Sequence, residues 1–171
     1  MVTEELFDIL SYMEKIGMRN KLAKNNGFRT VFCSGPESIQ GVMQEFQKTA
    51  NFIMVDDTTS QNTFSSGVTF FKKDVYTVFV LAGYRFDDMK DRQAKLNLCR
   101  RIFRQIHSKM IYDKSNMTYG DKLEYLEVNK VYSNEIGRYA MNGVTGLYFM
   151  VQNVQPVELV YNAEDWGDGI V

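Results

Sequence analysis

Residues 75–111 read VYTVFVLAGYRFDDMKDRQAKLNLCRRIFRQIHSKMI, and the change of periodicity within this stretch decides the fold. Val75 to Ala82 is β-branched and aromatic with no polar alternation, the pattern of a central strand whose two faces are both covered. From Asp88 onward the period becomes helical. Leu96, Cys99, Phe103, Ile106 and Met110 follow one another at three- and four-residue steps, which predicts an amphipathic helix from about Asp88 to Ile111. At 1.5 Å per residue it is roughly 35 Å long. Asp87, Asp88 and Asp91 stand at its start, and Arg100, Arg101, Arg104 and Lys109 toward its end, as the helix dipole favours.

Upstream, Val68 to Phe71 reads as a second strand. Lys72-Lys73-Asp74, between it and Val75, is either a tight hairpin or a bulge. Phe52 to Val55 reads as another strand, and the polar run from Asp56 to Thr63 as a loop, because Asp, Thr, Ser and Asn side chains compete for backbone hydrogen bonds. Phe28 to Cys33 is short and rich in β-formers. Ser34-Gly35-Pro36-Glu37 then reads as a turn opening a helix whose apolar face is Ile39, Val42, Met43 and Phe46. Leu6, Ile9, Leu10, Met13 and Ile16 mark an N-terminal amphipathic helix.

Downstream, Asp113 to Asp121 reads as a turn region, Tyr125 to Tyr132 alternates imperfectly, and Leu147 to Val154 reads as a further sheet strand with Pro156 near its end. Gly143 and Gly146 suit a turn entering that strand. The expected fold class is α+β: a mostly antiparallel sheet of four to six strands, with the long helix and the N-terminal helix on one face. Residues 1–162 are expected to form one domain and residues 163–171, with Glu164, Asp165 and Asp168, an acidic mobile tail.

Composition narrows the function classes. The chain has 171 residues, 44% of them hydrophobic and 13% aromatic, which excludes intrinsic disorder and suffices for a substantial core. With 20 basic against 21 acidic residues there is no global field for nucleic acid or anionic lipid, so no specific nucleic-acid binding is expected. The longest apolar run, Val78 to Gly83, falls far short of the roughly 20 residues a membrane span needs. The N-terminus is acidic rather than a basic secretory start. A soluble, cytoplasmic chain is therefore expected, and Cys33 and Cys99 are read as buried free thiols.

Catalytic signals are few. His107 is the single histidine, and its place on the long helix suits a solvated or capping role better than a triad. Asp56 and Asp57 are the one hint of a metal site, since Mg²⁺ takes one or two carboxylates beside substrate phosphates. The alternative is that they begin a turn through local hydrogen bonds. No phosphate-cradling or dinucleotide motif is present, and no cofactor is expected. Arg100, Arg101 and Arg104, with Lys95 and Lys109, form either a solvated helix face or a docking surface. In the latter case Glu164, Asp165 and Asp168 of a neighbouring copy supply the opposite charge.

The order of elements carried by Phe70-Phe71-Lys72-Lys73-Asp74-Val75-Tyr76-Thr77-Val78-Phe79-Val80-Leu81, then Arg92 to Met110, then Gly146-Leu147-Tyr148-Phe149-Met150-Val151-Gln152, resembles the tail-terminator or tail-completion proteins of tailed bacteriophages. It departs from them in an added strand–helix element over Phe28 to Lys48 and in the long connection from Asp113 to Gly143. The resemblance implies a small sheet with helices on one face and rings that cap the tail tube and join it to the head. It transfers no catalytic residue, and it implies as partners the chain itself and other virion proteins, with the virion as final location. Two other classes stay open: a metal-dependent hydrolase or nuclease using Asp56 or Asp57, and a ligand- or peptide-binding module with a pocket of Phe, Tyr and Met.

Overall fold

The computed structural model describes residues 8–35, 51–137 and 143–167. In chain order the elements are α1 (Ile9–Arg19), α2 (Lys21–Asn25), β1 (Arg29–Cys33), β2 (Phe52–Ser66), β3 (Thr69–Gly83), α3 (Met89–Ser115), β4 (Thr118–Asp121), β5 (Leu126–Glu127), β6 (Ser133–Ile136) and β7 (Val144–Val157), then a 3₁₀ turn at Ala163–Asp165. Six of the strands form one sheet in the order β1-β2-β3-β7-β5, with β6 also pairing β7. Among the described residues only β1 and β2 run parallel. The expectation of an α+β fold with a mostly antiparallel sheet, one long helix and an N-terminal helix is met. The helix expected over Ile39 to Phe46 lies outside the described residues.

The doubly apolar run Val75–Ala82 is central, as its composition requires, with β2 on one side and β7 on the other. One face of the sheet buries Ile53, Val55, Val78, Val80, Leu147 and Phe149 against Tyr12, Met13 and Ile16 of α1 and Cys99, Ile102, Ile106 and Met110 of α3. Asp88 caps α3, its Oδ1 accepting from the backbone N–H of Lys90 at 3.0 Å and of Asp91 at 2.9 Å. The opposite face carries a second cluster in which Phe52, Met54, Leu81 and Val144 pack with Cys33 and Ile136.

Three readings are corrected. Asp56 to Thr63 is not a loop but the middle of a 15-residue strand. Tertiary pairing overrides local propensity here, because every residue from Thr59 to Ser66 has a partner on β3. The mismatch the polar residues introduce is confined to an irregularity between Val55 and Thr59, where β2 advances four residues while β3 advances two. Second, Lys72-Lys73-Asp74 is neither hairpin nor bulge. It continues β3, and the turn lies at Gly67-Val68, where Gly67 (φ 64°) supplies the positive φ that the first central position of a two-residue hairpin demands.

Third, α3 runs past the expected turn at Asp113 and ends at Ser115. Its 27 residues span about 40 Å. Asp113 is fully buried, accepting a hydrogen bond from Tyr12 Oη at 3.0 Å and pairing with Lys109 one turn earlier. That partner on α1 makes a polar residue part of the core. Gly143 does turn the chain into β7 with φ 72°, whereas Gly146 lies inside the strand. A Cβ at Gly146 would stand 2.0 Å from the Val80 carbonyl oxygen, so β3 and β7 meet there through backbone alone.

Candidate assembly surface

Beyond the helices the sheet narrows to three strands. β1 pairs with β2 only as far as Asp56, and β5 meets β7 only at Gln152 and Asn153. From Thr59 outward, β2, β3 and the end of β7 continue as an arm, with Phe64 opposite Phe71 and Phe71 opposite Pro156. Eight residues from Thr59 to Ser66 give it a length of roughly 25 Å. Its tip is the Gly67-Val68 turn, and Val68 is 99% exposed there.

The chemistry of the arm differs from face to face. On one face Phe64 and Phe71 stack with ring centroids 5.8 Å apart. On the other, Phe70, Lys72, Asp74 and Tyr76 alternate along β3; Asp74 is buried beside Lys72, whose Nζ stands 3.3 Å from Asp74 Oδ1. Burial and the neighbouring Asp74 carboxylate push the Tyr76 phenol up from its ordinary range. The outer edge of β2 is the notable feature. Among the described residues nothing pairs with it from Asp57 to Ser66, and Thr58-Thr59-Ser60-Gln61-Asn62-Thr63-Phe64-Ser65-Ser66 contains no charge and no proline.

Among the described residues, the other open strands of the sheet carry something that hinders pairing. β1 begins with Arg29, β5 and β6 have two and four residues, β6 bears Glu135, and β7 carries Pro156 near its end. Past Val157 the chain leaves the sheet at the arm tip as Glu158-Leu159-Val160-Tyr161, all exposed, and Tyr161 stacks on Trp166 at 6.3 Å. Apolar side chains that a folded chain would ordinarily cover therefore gather at one end of the molecule: Phe64, Val68 and Phe70 on the arm, and Leu159, Val160, Tyr161 and Trp166 beside it.

The residues singled out in the sequence fall into different places. Arg100 is engaged within the chain: Nε donates to Glu135 Oε1 at 2.6 Å and Nη2 to Glu135 Oε2 at 2.8 Å, a bidentate pair that ties β6 to α3. Those hydrogen bonds hold the Glu135 carboxyl below its usual range. Arg101 and Arg104 are exposed beside Gln105 and make no ion pair among the described residues. Glu164 and Asp165 are exposed in the 3₁₀ turn capped by Asn162, whose side chain accepts from the Glu164 backbone at 3.1 Å. No ion pair among the described residues joins these acids to the arginines, and Asp168 lies outside the described residues.

Asp56 and Asp57 behave as the alternative reading requires. Asp56 Oδ1 accepts from the backbone N–H of Gly35 and Thr58 and from Thr58 Oγ1, while Asp57 Oδ2 accepts from Ser34 Oγ at 2.7 Å. They hold the end of β1 to the irregular stretch of β2. Among the described residues no three His, Cys, Asp or Glu side chains converge as a metal site would need. His107 is half-buried and stacked on Phe103, and its Nε2 donates to the Val128 carbonyl at 2.7 Å. Cys33 and Cys99 are buried free thiols, each pushed up to about 12 by desolvation.

The β2 edge was hidden in the sequence by its polar composition. One signal stood nonetheless: no glycine or proline interrupts the ten residues from Asp57 to Ser66, and Gly67 follows at once. No protein-family model matches the chain, and no curated protein is significantly similar to it. Among the described residues no helix is long and apolar enough to cross a membrane.

Proposed function

We propose that this chain is a non-catalytic assembly component that works by binding copies of itself, and that its place is the tail end or head–tail junction of a phage or prophage virion. The observation that carries the self-association is the arm, whose eight-residue outer edge from Thr59 to Ser66 lacks the charges, prolines and bulges that folded proteins use to prevent edge pairing. A monomer would gain nothing from holding such an edge and a cluster of aromatic side chains in water. An assembly built by strand addition needs both.

The virion setting rests on the resemblance described above. The small sheet, with two helices on one face and a hairpin projecting beyond it, supports that setting. Other virion proteins and the chain itself are the partners this role requires. Catalysis is disfavoured by the local use of Asp56 and Asp57 and by the carbonyl partner of His107.

The test is the mass in solution by light scattering across a concentration series. The expected result is a concentration-dependent rise to a defined oligomer. A strict monomer at high concentration would contradict the self-association. If Ser60→Lys with Asn62→Lys, which add charge to the edge without removing a packed side chain, leave the oligomer intact, the arm is not its interface.

A further inference from the structure

The self-association reading leaves open what the β2 edge receives, and the inference drawn here rests on that reading. We infer that the edge takes up the segment Glu158–Tyr161 of a neighbouring copy as an added strand, so that each chain donates its C-terminal segment and accepts another's. Donor and acceptor are different surfaces, so the contact is head-to-tail and closes into a ring or continues as a filament.

The topology makes the donation intermolecular. β7 runs toward the arm tip, and β3 lies between it and β2. To reach its own β2 edge, the chain after Val157 would have to reverse at once and pass the end of β3. Three strand spacings come to roughly 14 Å, about four extended residues, which would use up the residues that have to pair. Instead the segment leads away from the sheet into the turn capped by Asn162.

The composition suits a strand. Val160 and Tyr161 are strong β-formers and Leu159 is apolar, with Val160 74% and Tyr161 71% exposed. Extended, the segment sorts into two faces, with Leu159 and Tyr161 on one and Glu158 and Val160 on the other. The β2 edge sorts in the same way. Phe64, already stacked on Phe71, offers an apolar surface for Leu159 and Tyr161, while the opposite face presents Thr63 and Ser65, a polar surface for Glu158. Fit of both faces at once is what sets the segment's orientation on the edge.

The decisive experiment mixes two singly substituted full-length chains, one Thr63→Cys and one Val160→Cys, under mild oxidation. The native Cys33 and Cys99 are buried and stay silent. The expected product is a disulfide-linked pair containing one chain of each kind, and the doubly substituted chain should give a ladder of covalent oligomers. If Thr63→Cys links only to itself, edges pair with edges and the donor assignment is overturned, although self-association survives. Leu159→Asp with Tyr161→Asp should keep the melting temperature and raise the half-assembly concentration at least tenfold. Wild-type assembly in that variant also overturns the donor assignment. A wild-type chain that stays monomeric and cross-links in no combination removes the self-association reading itself.

Discussion

The foot of the sheet and its arm are built from the same three strands, yet they solve opposite problems. At the foot, Phe52–Val55, Val78–Ala82 and Leu147–Val151 are covered by α1 and α3 on one face and by a second apolar cluster on the other. Along the arm, the same β2, β3 and β7 keep their ladder of hydrogen bonds but lose the helices, and their side chains become polar or stand in water. Backbone pairing alone can extend a sheet, but burial is what makes part of it rigid and specific. The arm therefore draws on the foot for its order and has a free edge to offer a partner.

If that division holds, substitutions should have graded effects. The largest is expected from Gly146→Ala, since the added methyl meets the Val80 carbonyl with no flexible side chain to yield. It should lower stability by at least about 3 kcal/mol or prevent folding, measured by urea denaturation. Phe149→Ala, in the core beneath α3, should cost about 3–5 kcal/mol. Tyr12→Phe removes the hydroxyl that donates to buried Asp113 and should cost about 1–3 kcal/mol. Phe71→Ala on the arm loses chiefly its stacking with Phe64, about 1 kcal/mol, while its effect on assembly should be larger. An arm substitution that destabilises the monomer as strongly as Phe149→Ala would abolish the distinction.

The smallest effect concerns the clamp between α3 and β6. The Glu135 carboxyl is held below its ordinary value by Arg100, so the pair's contribution to stability is complete above the unfolded carboxylate range, about pH 4.3, and fades as pH falls through the lower folded value. Glu135→Gln should thus lower the melting temperature slightly at pH 7 and progressively less as the pH falls below about 4.3, and added salt should shrink the difference. A loss independent of pH would point to packing rather than charge.

The foot was legible in the sequence and the arm was not, for one physical reason. Val75–Ala82 and the stripe on α3 are apolar because they are buried, and burial leaves a periodic record in composition. Thr58–Ser66 is a strand only because β3 lies beside it, and hydrogen-bonded pairing leaves no such record when both faces are wet. Asp113 misled for the converse reason, a polar side chain placed in the core by Tyr12 and Lys109. Of the charged residues proposed from sequence for a docking face, Arg101 and Arg104 remain exposed, but Arg100 belongs to Glu135, a partner 35 residues further on that no local pattern discloses.

Hydrogen–deuterium exchange followed residue by residue at two protein concentrations tests the role of the arm most directly. Amides of the foot, such as those of Val78–Leu81, should exchange slowly and equally at both concentrations. Those on the open side of Thr59–Ser66 should exchange quickly when dilute and become protected when concentrated, together with the amides of Leu159–Tyr161. Equal exchange along Thr59–Ser66 at both concentrations, in a sample that light scattering shows to be assembled, would contradict the account.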